Sequence, residues 1–234
     1  MADLEKISSN GVLGNNVCCL TLTKKYFEKN KIIQNDNKSL SKIMLEFEGR
    51  PIQYMDQVHG TSIHKVYERC KKPIDKTDGL YTTSDKAILG IISADCLPVA
   101  IAKSDGTEIL LLHVGWRGLS NGIVSKSLDI LNKDNLELKA WLAPCISQRH
   151  YEVGSDLYNT FIENDKESEQ SFMSKGPNKW LFDIKAEVKR ILINHHVSVF
   201  DSGYCTYENQ DLFYSYRRNK TDRRVLTLLW RRNV

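Results

Sequence analysis

The sequence predicts an α+β fold: a single compact domain over residues 1–234, with mixed central β-sheets flanked by helices. Three observations predict it. Short apolar runs of strand length outnumber the segments with helical periodicity, and the two kinds do not alternate regularly, which argues against a doubly wound sheet. With 234 residues, 41% hydrophobic and 26% charged, the chain can bury a substantial core. No internal repeat, low-complexity tract or long linker divides it.

The predicted strands lie at 52–54, 62–66, 87–92, 99–102, 108–114, 139–142, 197–200 and 225–230, each a short apolar run bounded by polar or turn-forming residues. Four segments have helical periodicity. Residues 40–45 follow Ser39, a plausible cap. Residues 121–131 place Ile123, Val124, Leu128 and Leu131 on one face, and 155–163 turn Leu157, Tyr158, Phe161 and Ile162 inward. Residues 182–193 do the same with Ile184, Val188, Ile191 and Leu192, with Asp183 near the start. The polar stretch 163–170 is expected to be a loop or a frayed helix end, and 71–78 a surface turn.

Composition narrows the function classes. Residues 1–16 hold no basic segment followed by an apolar one, and no run approaches a membrane span, so a soluble cytoplasmic protein is expected. The net charge of +4 permits an anionic ligand without calling for nucleic acid. The six cysteines include no CxxC pair, and reduced thiols are expected.

Three segments carry candidate chemistry. Asp56-Gln57-Val58-His59-Gly60 puts a histidine before glycine at the mouth of a strand, where a hydrogen-bonded turn histidine is the plain alternative. Ser93-Ala94-Asp95-Cys96-Leu97-Pro98 inserts a thiol and a carboxylate between two apolar strands, where they are costly to bury without partners. A buried structural cysteine beside a capping aspartate is the alternative there. In His113-Val114-Gly115-Trp116-Arg117-Gly118 a strand delivers His113 at its end, then two glycines and Arg117 precede a helix expected near Ser120. Backbone N–H groups near Gly118 and the Arg117 guanidinium suit an anion. The alternative is a turn with a surface arginine and Trp116 in the core.

Together, His59, Cys96 and His113 offer two nitrogens and a sulfur, the donor set of a zinc site with one open position. Their separations of 37 and 17 residues are too long for a local finger, so only the fold can assemble them. Further substrate contacts are expected from 142–146, from 151–154, and from the aromatic and basic run 213–218, which includes Arg217. Arg223, Arg224, Arg231 and Arg232 are expected on a solvated face.

The runs QVHG, DGLYTTSDKAILGIISADCLPV, LLHVGWRGLSNGI, LAPCISQRHYEVG and CTYENQDLFYSYRRNKTDRR, in this order, resemble the YfiH family, also called laccase-domain or polyphenol-oxidase-like. The likeness extends from about Gln53 to Trp230. It implies zinc on His59, Cys96 and His113, phosphorolysis of adenosine, inosine and methylthioadenosine, and deamination of adenosine. The implied fold is a compact α+β domain with central sheets and outer helices. The sequence departs from the family pattern at Gly11–Gly14 and at 19–22, in the run Ala143-Pro144-Cys145-Ile146-Ser147, and at Asp222.

On this reading Cys96 and His113 are the catalytic centre, with Asp95 as proton carrier because it adjoins the cysteine. Arg117 and the Gly118 backbone hold phosphate. The partners are purine nucleosides and phosphate, with no nucleic acid or membrane, in a monomer or small homo-oligomer. A cysteine hydrolase or amidase, acting on cell-wall precursors with Cys96 as nucleophile and His113 as base, is the main competitor. A copper polyphenol oxidase is disfavoured, since six histidines include no HxH pair and a thiolate donor suits zinc well. A non-enzymatic binding protein with a closed zinc site would draw a fourth ligand from His64, His150, His195 or His196.

Overall fold

The apolar runs sort into two stacked sheets in the computed structural model, which describes residues 4–32, 43, 49–67, 72–131 and 136–232. The first sheet has five strands in the order β1 (Lys6–Ser8), β2 (Val17–Leu22), β14 (Val225–Arg231), β6 (Ile88–Ser93), β3 (Ile52–Gln53). The second has six, in the order β13 (Ser198–Asp201), β9 (Leu138–Leu142), β7 (Leu97–Lys103), β8 (Ile109–Val114), β5 (Gly79–Thr82), β4 (Ile63–Lys65). Both are mixed: β3 and β6, β4 and β5, and β9 and β13 run parallel, and the remaining pairs antiparallel. This is the α+β architecture expected.

Side-chain alternation explains the stacking. On β8, Ile109 and Leu111 face one way and Leu110, Leu112 and Val114 the other, and all five are buried. On β6 and β14, Leu89, Ile91, Val225 and Leu229 turn toward the second sheet and meet Ala100, Ala102, Ile109 and Leu111. The small alanines of β7 let the two layers approach closely there. The outer face of the first sheet, through Ile88, Leu226, Leu228 and Trp230, is covered by Tyr26 and Phe27 of α1 (Lys24–Lys29).

The outer face of the second sheet is covered by α3 (Ile123–Leu131), α4 (Ser155–Asn164) and α5 (Ile184–Asn194) through Val124, Leu128, Leu157, Phe161, Val188 and Leu192. Helix α5 starts where expected because the Asp183 carboxylate accepts the Ala186 N–H at 2.9 Å. A three-stranded sheet, β10 (Glu152–Gly154), β12 (Lys179–Phe182) and β11 (Phe172–Gly176), lies beside α4.

All eight expected strands are present, shifted by a residue or two at their ends. Strands β1, β2, β5, β10, β11 and β12 were not expected. They are short or polar, or, like β2, divide their apolar residues between two cores. The helix expected at 40–45 lies outside the described residues apart from Ile43. The stretch 163–170 ends α4 and passes into a 3-10 turn at Lys166–Ser171. A further short helix, α2 (Trp116–Ser120), begins four residues before the expected start near Ser120.

Candidate metal centre and pocket

Cys96 and His113 sit at strand ends and His59 on a loop between strands. His113 is the fifth residue of β8, on the face of Ile109 and Leu111, so its ring points into the inter-sheet gap. Cys96 closes the turn that carries the chain from β6 in one sheet to β7 in the other. His59 belongs to the loop between β3 and β4.

The donor atoms of the three residues all lie within 4.8 Å of one another, with Sγ of Cys96 3.6 Å from Nε2 of His59. The imidazole rings of His59 and His113 meet edge to face with centroids 4.8 Å apart. Tetrahedral zinc, about 2.1 Å from nitrogen and about 2.3 Å from sulfur, sets those two donors about 3.6 Å apart, so the donor set and spacing fit it. No further His, Cys, Asp or Glu among the described residues joins the cluster.

The organiser of the cluster is Asp78, which the sequence placed in a surface turn and the structure buries completely. Its carboxylate accepts the backbone N–H groups of Val58 at 3.2 Å, His59 at 2.9 Å and Gly60 at 2.7 Å. It also accepts Nδ1–H of His113 at 2.8 Å, which leaves Nε2 of that ring for a metal. One carboxylate thus fixes both histidines. Burial pushes the Asp78 carboxyl up, but the bonds from His113, Gly60 and Val58 outweigh it and hold the group below its ordinary range.

Backbone geometry shows how tightly the loop is drawn in. His59 adopts a left-handed φ of 61°, an uncommon state for a side chain other than glycine. Two glycines of the GWRG run make room for it. A Cβ on Gly115 would stand 2.5 Å from Cδ2 of His59, and one on Gly118 would stand 2.7 Å from the Gly60 carbonyl oxygen. Gly118 is therefore a packing residue for the histidine loop. Gln57 adds a clasp, donating to the Ile92 carbonyl at 2.8 Å and accepting the Ile92 N–H at 3.1 Å.

The cluster is strongly polarised. Burial pushes the Cys96 thiol up, yet bonds and charge from His113 and His59 bring it down to about 6. Burial works against a charged His113, but Asp78 and Cys96 raise it to about 9.

The three residues line a cavity of about 480 Å³. Met55, Asp56, Gln57, Ile92, Ser93 and Ala94 border it on the side of the histidine loop and β6. Asp95, Ile146, Tyr151, Ile184, Tyr216, Arg217 and Arg224 complete it. Arg217 joins the pocket as expected, with its guanidinium 5.2 Å from the Tyr151 ring centroid and bonded to the Glu152 carbonyl at 2.7 Å. Arg224, expected on a solvated face, lines the pocket as well. Arg117 and Gly118 do not. Because α2 begins at Trp116, Arg117 turns outward and stacks on Trp116 at 4.6 Å.

Asp95 is in the pocket wall, with φ of 97°, but its carboxylate is engaged on both oxygens. Oδ1 accepts Thr206 Oγ1–H at 2.6 Å, and Oδ2 accepts Ser215 Oγ–H at 3.0 Å and the Arg217 N–H at 2.6 Å. These bonds tie the Cys96 turn to the C-terminal segment that carries Arg217 and α6 (Tyr216–Asn219). Of the other candidate ligands, His64 lies on β4, His150 pairs with Glu208 at 3.0 Å and stacks on Tyr207, and His195 caps α5. Cys18, Cys19, Cys96, Cys145 and Cys205 are free thiols.

Asp78 and Ser93 escaped the sequence reading. Both lie in the run DGLYTTSDKAILGIISADCLPV, but neither was given a role there, because an aspartate before Gly79 and a serine beside Asp95 and Cys96 carry no distinctive chemistry of their own. No helix among the described residues is long and apolar enough to cross a membrane.

Comparison with known proteins identifies the family. A family model described as multi-copper polyphenol oxidoreductase laccase matches residues 10–232. A Xylella fastidiosa protein named purine nucleoside phosphorylase is 34% identical over 184 residues, covering 76% of this chain and 71% of the relative. The purine nucleoside phosphorylase YfiH of Escherichia coli K12 is 32% identical over 178 residues, covering 76% and 72%. The crystal structure of Neisseria meningitidis protein NMB0706 superposes with a TM-score of 0.88 at 26% identity, over 98% of this chain and all of that one. With a family model spanning nearly the whole chain and relatives at this identity carrying the name, the chain belongs to the YfiH family of laccase-domain proteins.

Proposed function

We propose that this chain is a zinc-dependent purine nucleoside enzyme that cleaves adenosine, inosine and methylthioadenosine with phosphate and also deaminates adenosine. The observation that carries the reading is a three-donor cluster, oriented by one buried carboxylate, in the wall of a cavity that also holds two arginines. The names of the relatives support phosphorolysis. His59, Cys96 and His113 would hold the metal, which supplies Lewis acidity and activates water at neutral pH.

The chain's own residues do the rest. Asp78 keeps His113 and His59 aimed at one point. Arg217 and Arg224, which also line the cavity, make it attractive to an anion. In phosphorolysis a phosphate oxygen bonds to C1′ of the ribose, the C1′–N9 bond breaks, and the base leaves with the bonding pair and takes up a proton. Asp95, expected as the proton carrier, instead acts by holding the Arg217 segment against the Cys96 turn. Asp56, also in the wall, is the carboxylate available for proton transfer. The reading places the protein in the cytoplasm, as a monomer or small homo-oligomer.

Metal analysis of the purified protein, run beside an adenosine-plus-phosphate assay on wild type and Cys96→Ala, tests this reading. It requires about one zinc per chain, lost with Cys96 together with adenine formation. A metal-free protein with full activity would overturn it.

One observation favours the cysteine hydrolase as a second reading. Asp78 bonds His113 at 2.8 Å, and Sγ of Cys96 lies within 4.8 Å of the His113 donor nitrogen, a carboxylate–imidazole–thiol grouping of the kind that activates a nucleophilic thiol. In that case activity would survive chelation and be abolished by alkylation of Cys96.

A further inference from the structure

Ser93 ends β6, and its side chain faces the inter-sheet gap with Leu89 and Ile91. It is 2% exposed, and its hydroxyl has no hydrogen-bond partner in the protein. Such a group is uncommon, because a buried hydroxyl without a partner loses its hydration and gains nothing in return. This one borders the cavity that holds His59, Cys96 and His113. Its strand register identifies its neighbour. Ser93 pairs with Val225 across the β6–β14 ladder, so Arg224, which also lines the cavity, lies next to that partner. Both residues therefore line the cavity near this end of the first sheet, with Nη1 of Arg224 donating to the Thr221 carbonyl at 2.7 Å and to the Arg223 carbonyl at 2.9 Å.

We propose that Ser93 and Arg224 form the oxyanion subsite of the pocket and that its ligand is inorganic phosphate. The hydroxyl donates to one phosphate oxygen, and the Arg224 guanidinium supplies positive charge beside the others. The same pair is poorly matched to a purine ring, which offers no negative charge at neutral pH. The subsite rests on the phosphorolytic reading for its role in turnover, but not for the binding itself.

Titration of the full-length, metal-loaded protein with inorganic phosphate, followed by calorimetry, tests the subsite directly on wild type, Ser93→Ala, Ser93→Thr and Arg224→Gln. The expected result is binding by wild type, about tenfold weaker in Ser93→Ala, restored in Ser93→Thr, and weakened in Arg224→Gln. The melting temperature of Ser93→Ala should stay level or rise, because the hydroxyl it removes has no partner in the fold.

Unchanged phosphate affinity in Ser93→Ala, a loss confined to nucleoside affinity, or no phosphate binding by wild type would each overturn the subsite. Steady-state assays separate the two ideas. Phosphate binding that needs Ser93, without nucleoside turnover, keeps the subsite and removes the enzymatic reading. Turnover with an unchanged KM for phosphate in Ser93→Ala does the reverse.

Discussion

Two buried aspartates organise the surroundings of the pocket, and they do so with different materials. Asp78 gathers three consecutive backbone N–H groups and one imidazole, so everything it holds belongs to the ligand cluster. Asp95 gathers two hydroxyls and one backbone N–H from residues 111 to 122 positions away in sequence. Below the first, the histidine loop is pinned by glycine contacts with no spare room. Beyond the second, Tyr216 is half exposed and the arginines reach into the cavity from a short helix and a strand end. The difference separates tasks: one wall is built to hold donors still, and the other to present charge to something that comes and goes.

The largest effect should come from Asp78→Ala. It leaves an imidazole and three N–H groups unpaired in the interior, at a cost of about 3–5 kcal/mol in denaturant unfolding. Zinc affinity in a competition titration should fall about 10–100-fold.

Gly118→Ala should come next. Its Cβ would meet a backbone carbonyl rather than a yielding side chain, so a loss of about 1–3 kcal/mol is expected, with weaker zinc binding as the His59 loop shifts. Zinc affinity equal to wild type would show that the loop is not held by this contact.

Asp95→Ala sharpens the comparison from the other side. It should cost about 1–3 kcal/mol and raise KM for substrate while zinc stoichiometry stays at the wild-type value. Loss of the metal in this variant would mean that the two walls are one unit.

A further test concerns protonation. In chelated protein, Cys96 is a thiol below about pH 6 and a thiolate above it, while His113 keeps its proton up to about 9. Alkylation by iodoacetamide should therefore rise through about pH 6 rather than near the ordinary thiol value of about 8.5, and added zinc should suppress it. The smallest effect belongs to Arg117→Ala, whose side chain stacks outside the pocket: kcat and KM should match wild type within about twofold.

What the sequence disclosed follows from the same division. His59, Cys96 and His113 were legible because soft and nitrogen donors at strand ends are chemically conspicuous, and β6, β7, β8 and β14 because both of their faces are buried in apolar cores. Asp78 was hidden by its surroundings: after Lys71, Lys72, Lys76 and Thr77 it looked solvated, and only tertiary contacts bury it. Arg117 misled because a glycine-flanked arginine before a helix suggests an anion site, whereas the start of α2 decides which way it turns. Arg224 was one of several basic residues near the C-terminus, and only the fold, which pairs the next residue, Val225, with Ser93, brings it to the cavity.

The three candidate ligands come from separate stretches of chain, one of them the turn where the first sheet hands over to the second. An ion bound there would join points far apart in the unfolded polymer, closing loops as a covalent cross-link does and lowering the entropy of any disordered state that kept it. Metal supply would then govern more than turnover number. When zinc is scarce, the chain would open more often, present its strands to proteases and be cleared sooner. The abundance of the protein would thereby track the availability of any metal held there.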